Sequence, residues 1–499
     1  RRPMRLARWL LPPLSWLASA AGAPGEDAEG TCSSAGGPCG SPGVYHWPTQ
    51  KGSVSRAGYS AHPVPDLARG PSWNWFDPFN DVIRASPLID DEKNIFLTTV
   101  AGRIYKFNSI GVVVWERILD VGIPTVGSLL DGSLFVGTRS GGLLAIDMKS
   151  GEDRWKVSIS VVGVTAADAS SVFAHNGTVV AATHIDASVD QGNSHLVAVR
   201  AEDGRFLWRY QPEQPTNFLQ VSSPGDGTIV FQDKVGSLYR LALADGRLIW
   251  RSGRLGGTWA KSSTAGAAVC HEGRVYFVNN AASQPGGVLC AYSVDDGRKL
   301  WQAYLPYPAN QAVAAGPHPV EKGRTMVVVG IGDNPGMPPI WLTSHHLGSW
   351  AGLFFHQLDL NFPWLFATRR RAIVAYDADS GRRLWHFEPD PFRSEAAAGE
   401  STRIRQRHAD VAAGVNPHND VMCLPGTWSQ PVIGPDGTVY IGSQDGGVYA
   451  VRDADGNETI DVVTEVSRYE LGEGFQAPLA LAPGMLVAAP CGGGLRVFR

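Results

Sequence analysis

Short runs of alternating apolar and polar residues fill the chain beyond about residue 85, and many end at Asp-Gly, Asn-Gly or Glu-Gly pairs. A period of two closed by such pairs predicts β-strands joined as hairpins, because these residues accept the positive φ of tight turns. Residues 126–130, 134–138, 142–147 and 153–157 read as four successive strands, A to D, with Asp131-Gly132 turning the first pair. The junction of strands C and D carries a spaced motif. Ala145, Asp147, Ser150, Gly151 and Trp155 form one copy, and Ala375, Asp377, Ser380, Gly381 and Trp385 repeat it. Looser copies end at Trp208, Trp250 and Trp301, and a shorter one at Trp115. Successive Trp spacings of 40, 53, 42, 51 and 84 define a unit of about 40 residues with insertions.

A four-stranded sheet cannot bury both of its faces alone. Stacking such sheets radially buries the faces between them and shortens the exposed edges. The expected fold is therefore all-β, a seven- to eight-bladed β-propeller of four-stranded blades. Seven units fall at about 85–117, 124–158, 171–211, 221–253, 264–304, 325–388 and 428–471. An eighth would combine 475–498 with the segment 45–59 and close the ring; seven blades with a loose end is the alternative. The Trp on each outer strand is expected to wedge between neighbouring blades, with the turn glycine permitting close approach.

Strand direction separates two faces. B-to-C and D-to-A connections emerge on one, A-to-B and C-to-D turns on the other. The long connections, 185–194, 280–286, 333–371 and 388–427, all fall on the first, which is the expected binding face for a protein, glycan or small ligand. The insertion 333–371 carries Trp341, Trp350, Phe354, Phe355, Phe362, Trp364 and Phe366 and fits no repeat. It reads either as an apolar lid or docking patch or as a stretch foreign to the domain. In the connection 388–427, His408, Asp410, His418 and Asp420 are a minor metal candidate against ordinary solvated side chains.

The first residues change the compartment. Arg1, Arg2, Arg5 and Arg8 precede an apolar stretch, and Ala18-Ser19-Ala20 fits a cleavage site, so 1–20 reads as a signal peptide and 21–44 as a Gly/Ser-rich linker before the domain at 45–499. The apolar stretch is too short and too interrupted by Pro12 and Pro13 to span a bilayer. A secreted or lumenal location follows, and oxidising conditions would allow disulfides, with Cys32–Cys39 and Cys423–Cys491 as pairings and buried free thiols as the alternative. The net charge of −4 with no long basic run excludes a nucleic-acid groove.

One segment carries candidate metal chemistry. Asp453, Asp455, Asn457 and Asp461 stand at positions 1, 3, 5 and 9, a spacing that can wrap a calcium ion in oxygen ligands. Glu458 stands where calcium loops place Gly, and Glu465 falls one place late for the closing carboxylate. The competing reading is a C-to-D turn at Asp455-Gly456, although this copy has more residues than a turn needs. No nucleophile elbow, zinc-protease helix or phosphate-cradling loop is present, and no catalytic residue is nominated.

The Ala-x-Asp-x-x-Ser-Gly-x-x-x-Trp motif resembles the repeat of PQQ-like, quinoprotein-type propellers over roughly 45–499. Trp47-Pro48, Ser55-Arg56-Ala57-Gly58-Tyr59-Ser60, Ala85-Ser86-Pro87-Leu88-Ile89 and Ser429-Gln430-Pro431-Val432-Ile433 add to that likeness. The resemblance implies two functions. One is a binding or scaffold module like the bacterial propellers of outer-membrane protein assembly, though no lipid-anchor cysteine follows the signal. The other is a dehydrogenase using PQQ and calcium. That second activity is disfavoured, because the adjacent cysteine pair often seen in those enzymes is absent and no Glu/Asn/Asp ligand set can be matched.

Overall fold

A computed structural model describes residues 45–499 apart from 161–170, 186–191, 217–218, 253–267, 281–285, 310, 334–367, 394–395, 414–422 and 424–426. Eight antiparallel sheets follow one another as the blades of a propeller. In blade two, strands A to D are Ser128–Leu130, Ser133–Gly137, Gly142–Asp147 and Asp153–Ser158. Blade four keeps its innermost strand only as the bridge between Ser222 and Val230. Blade six begins at Ala314–Pro317, earlier than the expected 325, because His318 to Arg324 forms a longer A-to-B connection than the usual two-residue turn.

The ring closes in blade eight. Its three inner strands are Ala480–Ala482, Met485–Ala488 and Gly494–Phe498, and its outermost strand is Trp73–Phe76, paired to Gly494–Phe498. The segment 45–59 was expected in this place and lies elsewhere. Trp73-Asn74-Trp75-Phe76 alternates half-buried and exposed side chains, as an outer strand must. The two ends of the domain thus join in one sheet.

The tryptophans act between blades. The indoles of Trp73, Trp115, Trp155, Trp208, Trp250 and Trp301 lie on the C-to-D turn glycine of the following blade: Gly111, Gly151, Gly204, Gly246, Gly297 and Gly381. A β-carbon on any of these glycines would come 2.6–2.9 Å from the ring, and each has φ between +67° and +91°. Only glycine meets both demands. Each indole Nε1 also donates to a carbonyl of that turn, at 2.7–3.2 Å. The motif aspartate fixes the turn from within. Asp147 accepts from the backbone N–H of Lys149 and Ser150, and Asp377 from that of Ser380. Hydrophobic clusters lie between successive blades, for instance Phe173, Trp208, Ile229 and Leu241 between blades three and four.

Candidate functional site

The segment 47–60 occupies the axis. Trp47 bridges Ile89 of blade one, and the carbonyls of Pro48, Val54, Ser55, Ala57 and Gly58 accept from Leu129, Ser223, Cys270, Ala315 and Ile433, at 2.7–2.9 Å. Those donors belong to the inner strands of blades two, four, five, six and seven, so one short segment satisfies the inner edge almost all round the ring. Its ends meet A-to-B turns: Gly132 N–H donates to the Tyr45 hydroxyl, and Gly484 N–H to the Pro63 carbonyl. The mouth on the A-to-B side is therefore the plugged one. Lys51 and Arg56, within this plug, are fully buried.

The other face carries the long connections. Thr368–Arg369, at the end of the insertion, pairs with Phe392–Arg393 at the start of the next connection. That connection, read as loop from sequence, contains the α-helix Ser401–Ala412. It is tied down by the Cys423–Cys491 disulfide to the B-to-C turn of blade eight. Buried Glu400 receives the Cys423 N–H at 3.0 Å and Arg403 Nη1 at 2.5 Å. Arg403 Nη2 then donates to the Asn80 carbonyl, which links the connection to the loop entering blade one. Beside it, Arg371 donates to Asp445 at 2.7 Å, and Asp445 also accepts from the Tyr449 hydroxyl at 2.7 Å. Burial alone would raise the Asp445 carboxyl, but the Arg371 guanidinium prevails and holds it down at about 2. Cys270 and Cys290 are free and buried, and burial pushes both thiols up to about 12.

The candidate calcium segment lies on the plugged side, in the C-to-D connection of blade seven, which runs between Gly447–Val451 and Val466–Glu470. Asp453, Asp455 and Glu465 bring one carboxylate oxygen each within 4.8 Å of the others. Asn457 donates its Nδ2 to Asp455 at 2.7 Å, and its Oδ1 accepts from Thr459 N–H. Asp461 turns its Oδ1 to the Val463 N–H and its backbone N–H to Glu465. The late glutamate thus joins the group, while Asn457 and Asp461 shape the loop. Asp453 is the unusual member. Three residues before the turn glycine, blades two to six place Met148, Ala201, Leu243, Val294 and Ala378, all buried; blade seven places Asp453, 1% exposed. Its Oδ2 accepts from Glu458 N–H, its Oδ1 has no hydrogen-bond partner among the described residues, and burial raises its pKa.

Sequence reasoning singled out the repeat Trp and Gly positions and counted Glu465 as one place late for a ligand, but it passed over Trp73, Lys51 and Arg371. The aromatic alternation at 73–76 was a usable signal for the first. The insertion's aromatics, His418, Asp420, Cys32, Cys39 and the signal and linker segments fall outside the described residues, as do the side chains of His408 and Asp410. No described helix is long and apolar enough to cross a membrane.

Comparison with known proteins agrees with this architecture. The family model described as outer membrane protein assembly factor BamB matches at 74–184, 100–281 and 234–337, together more than half of the chain. Quinohemoprotein alcohol dehydrogenase ADH IIB of Pseudomonas putida is 25% identical over 229 residues, which is 40% of this chain and 31% of that protein. The chain thus aligns with about a third of the length of the curated relatives it matches. The crystal structure of BamB from Moraxella catarrhalis superposes with a TM-score of 0.54 at 14% identity, covering 86% of this chain and 99% of that one. Quinohemoprotein alcohol dehydrogenase from Comamonas testosteroni gives 0.58 at 13% identity, covering 91% and 80%. With eight four-stranded blades, a Trp-to-Gly dock repeated between them and a family match over most of the ring, the chain belongs to the PQQ-like β-propeller family.

Proposed function

We propose that this propeller is a binding module of the secretory pathway that receives a protein partner on the face of its long connections. The observation that carries this reading is the asymmetry of the two mouths. The A-to-B side is plugged by 47–60, while the described parts of the two longest connections, tied to each other and to blade eight, crown the opposite side. Loops held by a rigid scaffold are where recognition usually resides. The likeness to a protein described as an assembly factor supports a protein as the ligand.

A photo-crosslinker tests the face directly. Placed at exposed Asp390, on the crowned side, it should capture the partner; placed at exposed Asp131 or Glu202, on the plugged side, it should not. Equal capture from both sides would sink the reading.

A PQQ–calcium pair over the axis does not fit the described residues. The one carboxylate group they gather, Asp453, Asp455 and Glu465, lies in an outer connection of blade seven, away from the axis. Reduction of an artificial electron acceptor by protein reconstituted with PQQ and calcium would reverse this judgement. For the acidic group itself the favoured ligand is calcium as a structural ion, because the orphaned Asp453 Oδ1 is an oxygen donor already stripped of water. Terbium luminescence sensitised by tryptophan, lost in Asp453→Leu, is the expected signature.

A further inference from the structure

We propose that the plugged axis binds one small monovalent anion, of chloride size, at the Arg56 guanidinium with Lys51 as the second cation. The argument begins from burial. Both side chains have 0% exposure, and among the described residues neither is ion-paired. Arg56 donates from Nε to the Val221 carbonyl and from Nη1 to the Gln50 carbonyl at 3.1 Å, whereas its buried Nη2 has no partner among the described residues. Lys51 donates from Nζ to the Val313 carbonyl. Carbonyl oxygens meet part of the hydrogen-bonding demand of these heads but carry no net charge, and buried charge without a counter-charge is costly.

Gly58 presses on the lysine: a β-carbon there would lie 2.6 Å from Lys51 Cε and 3.1 Å from its Nζ. Arg56 is held by carbonyls from two directions. Burial and mutual repulsion push the Lys51 ammonium well below its ordinary pKa, and burial takes Arg56 to about 9. Two outcomes can relieve this arrangement. Lys51 gives up its proton, or an anion enters. The unpartnered Nη2 favours the second, since deprotonating Lys51 would leave that donor as it is. Complete burial of both heads restricts the ligand to a small ion.

Crystals of the wild-type domain equilibrated with sodium bromide provide the first test. An anomalous peak within hydrogen-bond reach of Arg56 Nη2 is expected. The second test replaces chloride with gluconate, too bulky for the site, at constant ionic strength. Wild type should melt on the order of 1–3 °C lower in gluconate, and Lys51→Met should lose at least half of that difference. Bromide found only on the surface, or a water at Nη2, overturns the proposal. So does a melting temperature indifferent to the anion. The diffraction experiment stands even if Lys51→Met does not fold.

Discussion

Six of the eight seams of the wheel are built alike; blade seven has no Trp on its outer strand Val466–Glu470, and between blades six and seven a Trp is present without its dock. Where Trp208 meets Gly246, the ring covers a glycine and its N–H reaches the Leu243 carbonyl at 2.8 Å. Trp385 is more deeply buried, at 1% exposure, yet its Nε1 has no partner among the described residues, and Gly456 of the next blade faces Val320 instead of an indole. The same motif therefore yields two outcomes, decided by the connection that receives the ring. In blades one to six that connection is a tight turn. In blade seven it is expanded and acidic, and the standard dock is gone. The repeat tolerates this because Ile460 of the expanded connection, with Val466 at the start of the strand after it, packs in the same cluster as Trp385.

The glycines separate the two kinds of seam most strongly. Gly246→Ala forces a non-glycine residue to φ +71° and drives its β-carbon to 2.7 Å from the Trp208 ring. The left-handed strain and the overpacking together should cost about 3 kcal/mol or more. Gly456→Ala meets only Val320, at 3.3 Å, so strain alone remains and about 1 kcal/mol is expected. Urea midpoints of the two variants provide the measurement, and equal losses would erase the distinction. A smaller contrast is expected from removing the indole donor. Trp208→Phe leaves the Leu243 carbonyl short of a partner and should lose about 2 kcal/mol. Trp385→Phe gives up no hydrogen bond, and about 1 kcal/mol of packing is expected.

The same contrast explains what could be read from residues alone. The strands of blade two were legible to within two residues, because period-two alternation and Asp131-Gly132 act locally. The Trp and Gly positions were legible because the dock repeats. Ring closure by Trp73–Phe76 was not, since its partner Gly494–Phe498 stands some four hundred positions away and nothing local encodes the pairing. The plug escaped for a related reason. Most of its bonds to the inner strands run from main chain to main chain, and only Lys51 and Arg56 reach carbonyls there with side chains, so the residue types of 47–60 do not announce the inner edges they satisfy. In the acidic connection the calcium spacing drew attention to Asn457 and Asp461. The fold instead brings Glu465 back beside Asp453, because the Glu465 N–H donates to the Asp461 carbonyl and closes the loop one residue late.

Two aspartates on either side of blade seven, Asp445 partly buried and Asp453 buried, should respond to acid in opposite directions. Asp445 is held at about 2 by Arg371, below the ordinary value of a free carboxyl. Its stabilisation is present above the unfolded pKa near 4 and is lost as pH falls toward 2, a contribution of about 2 kcal/mol. Arg371→Met should abolish that part of the acid sensitivity. Asp453 behaves in reverse. Burial raises its carboxyl, so in the absence of a cation its ionisation destabilises the fold once pH exceeds the raised value, and the penalty fades as pH falls back toward the unfolded one.

Asp453→Leu restores the aliphatic residue found at the matching place in blade four, Leu243. In chelator at neutral pH this variant should be more stable than wild type by about 1 kcal/mol, and its advantage should shrink on acidification. Millimolar calcium should raise the melting temperature of wild type and leave Asp453→Leu unmoved. A variant less stable than wild type in chelator would mean that the carboxylate supports the seam by itself, and that blade seven departs from the others without needing an ion.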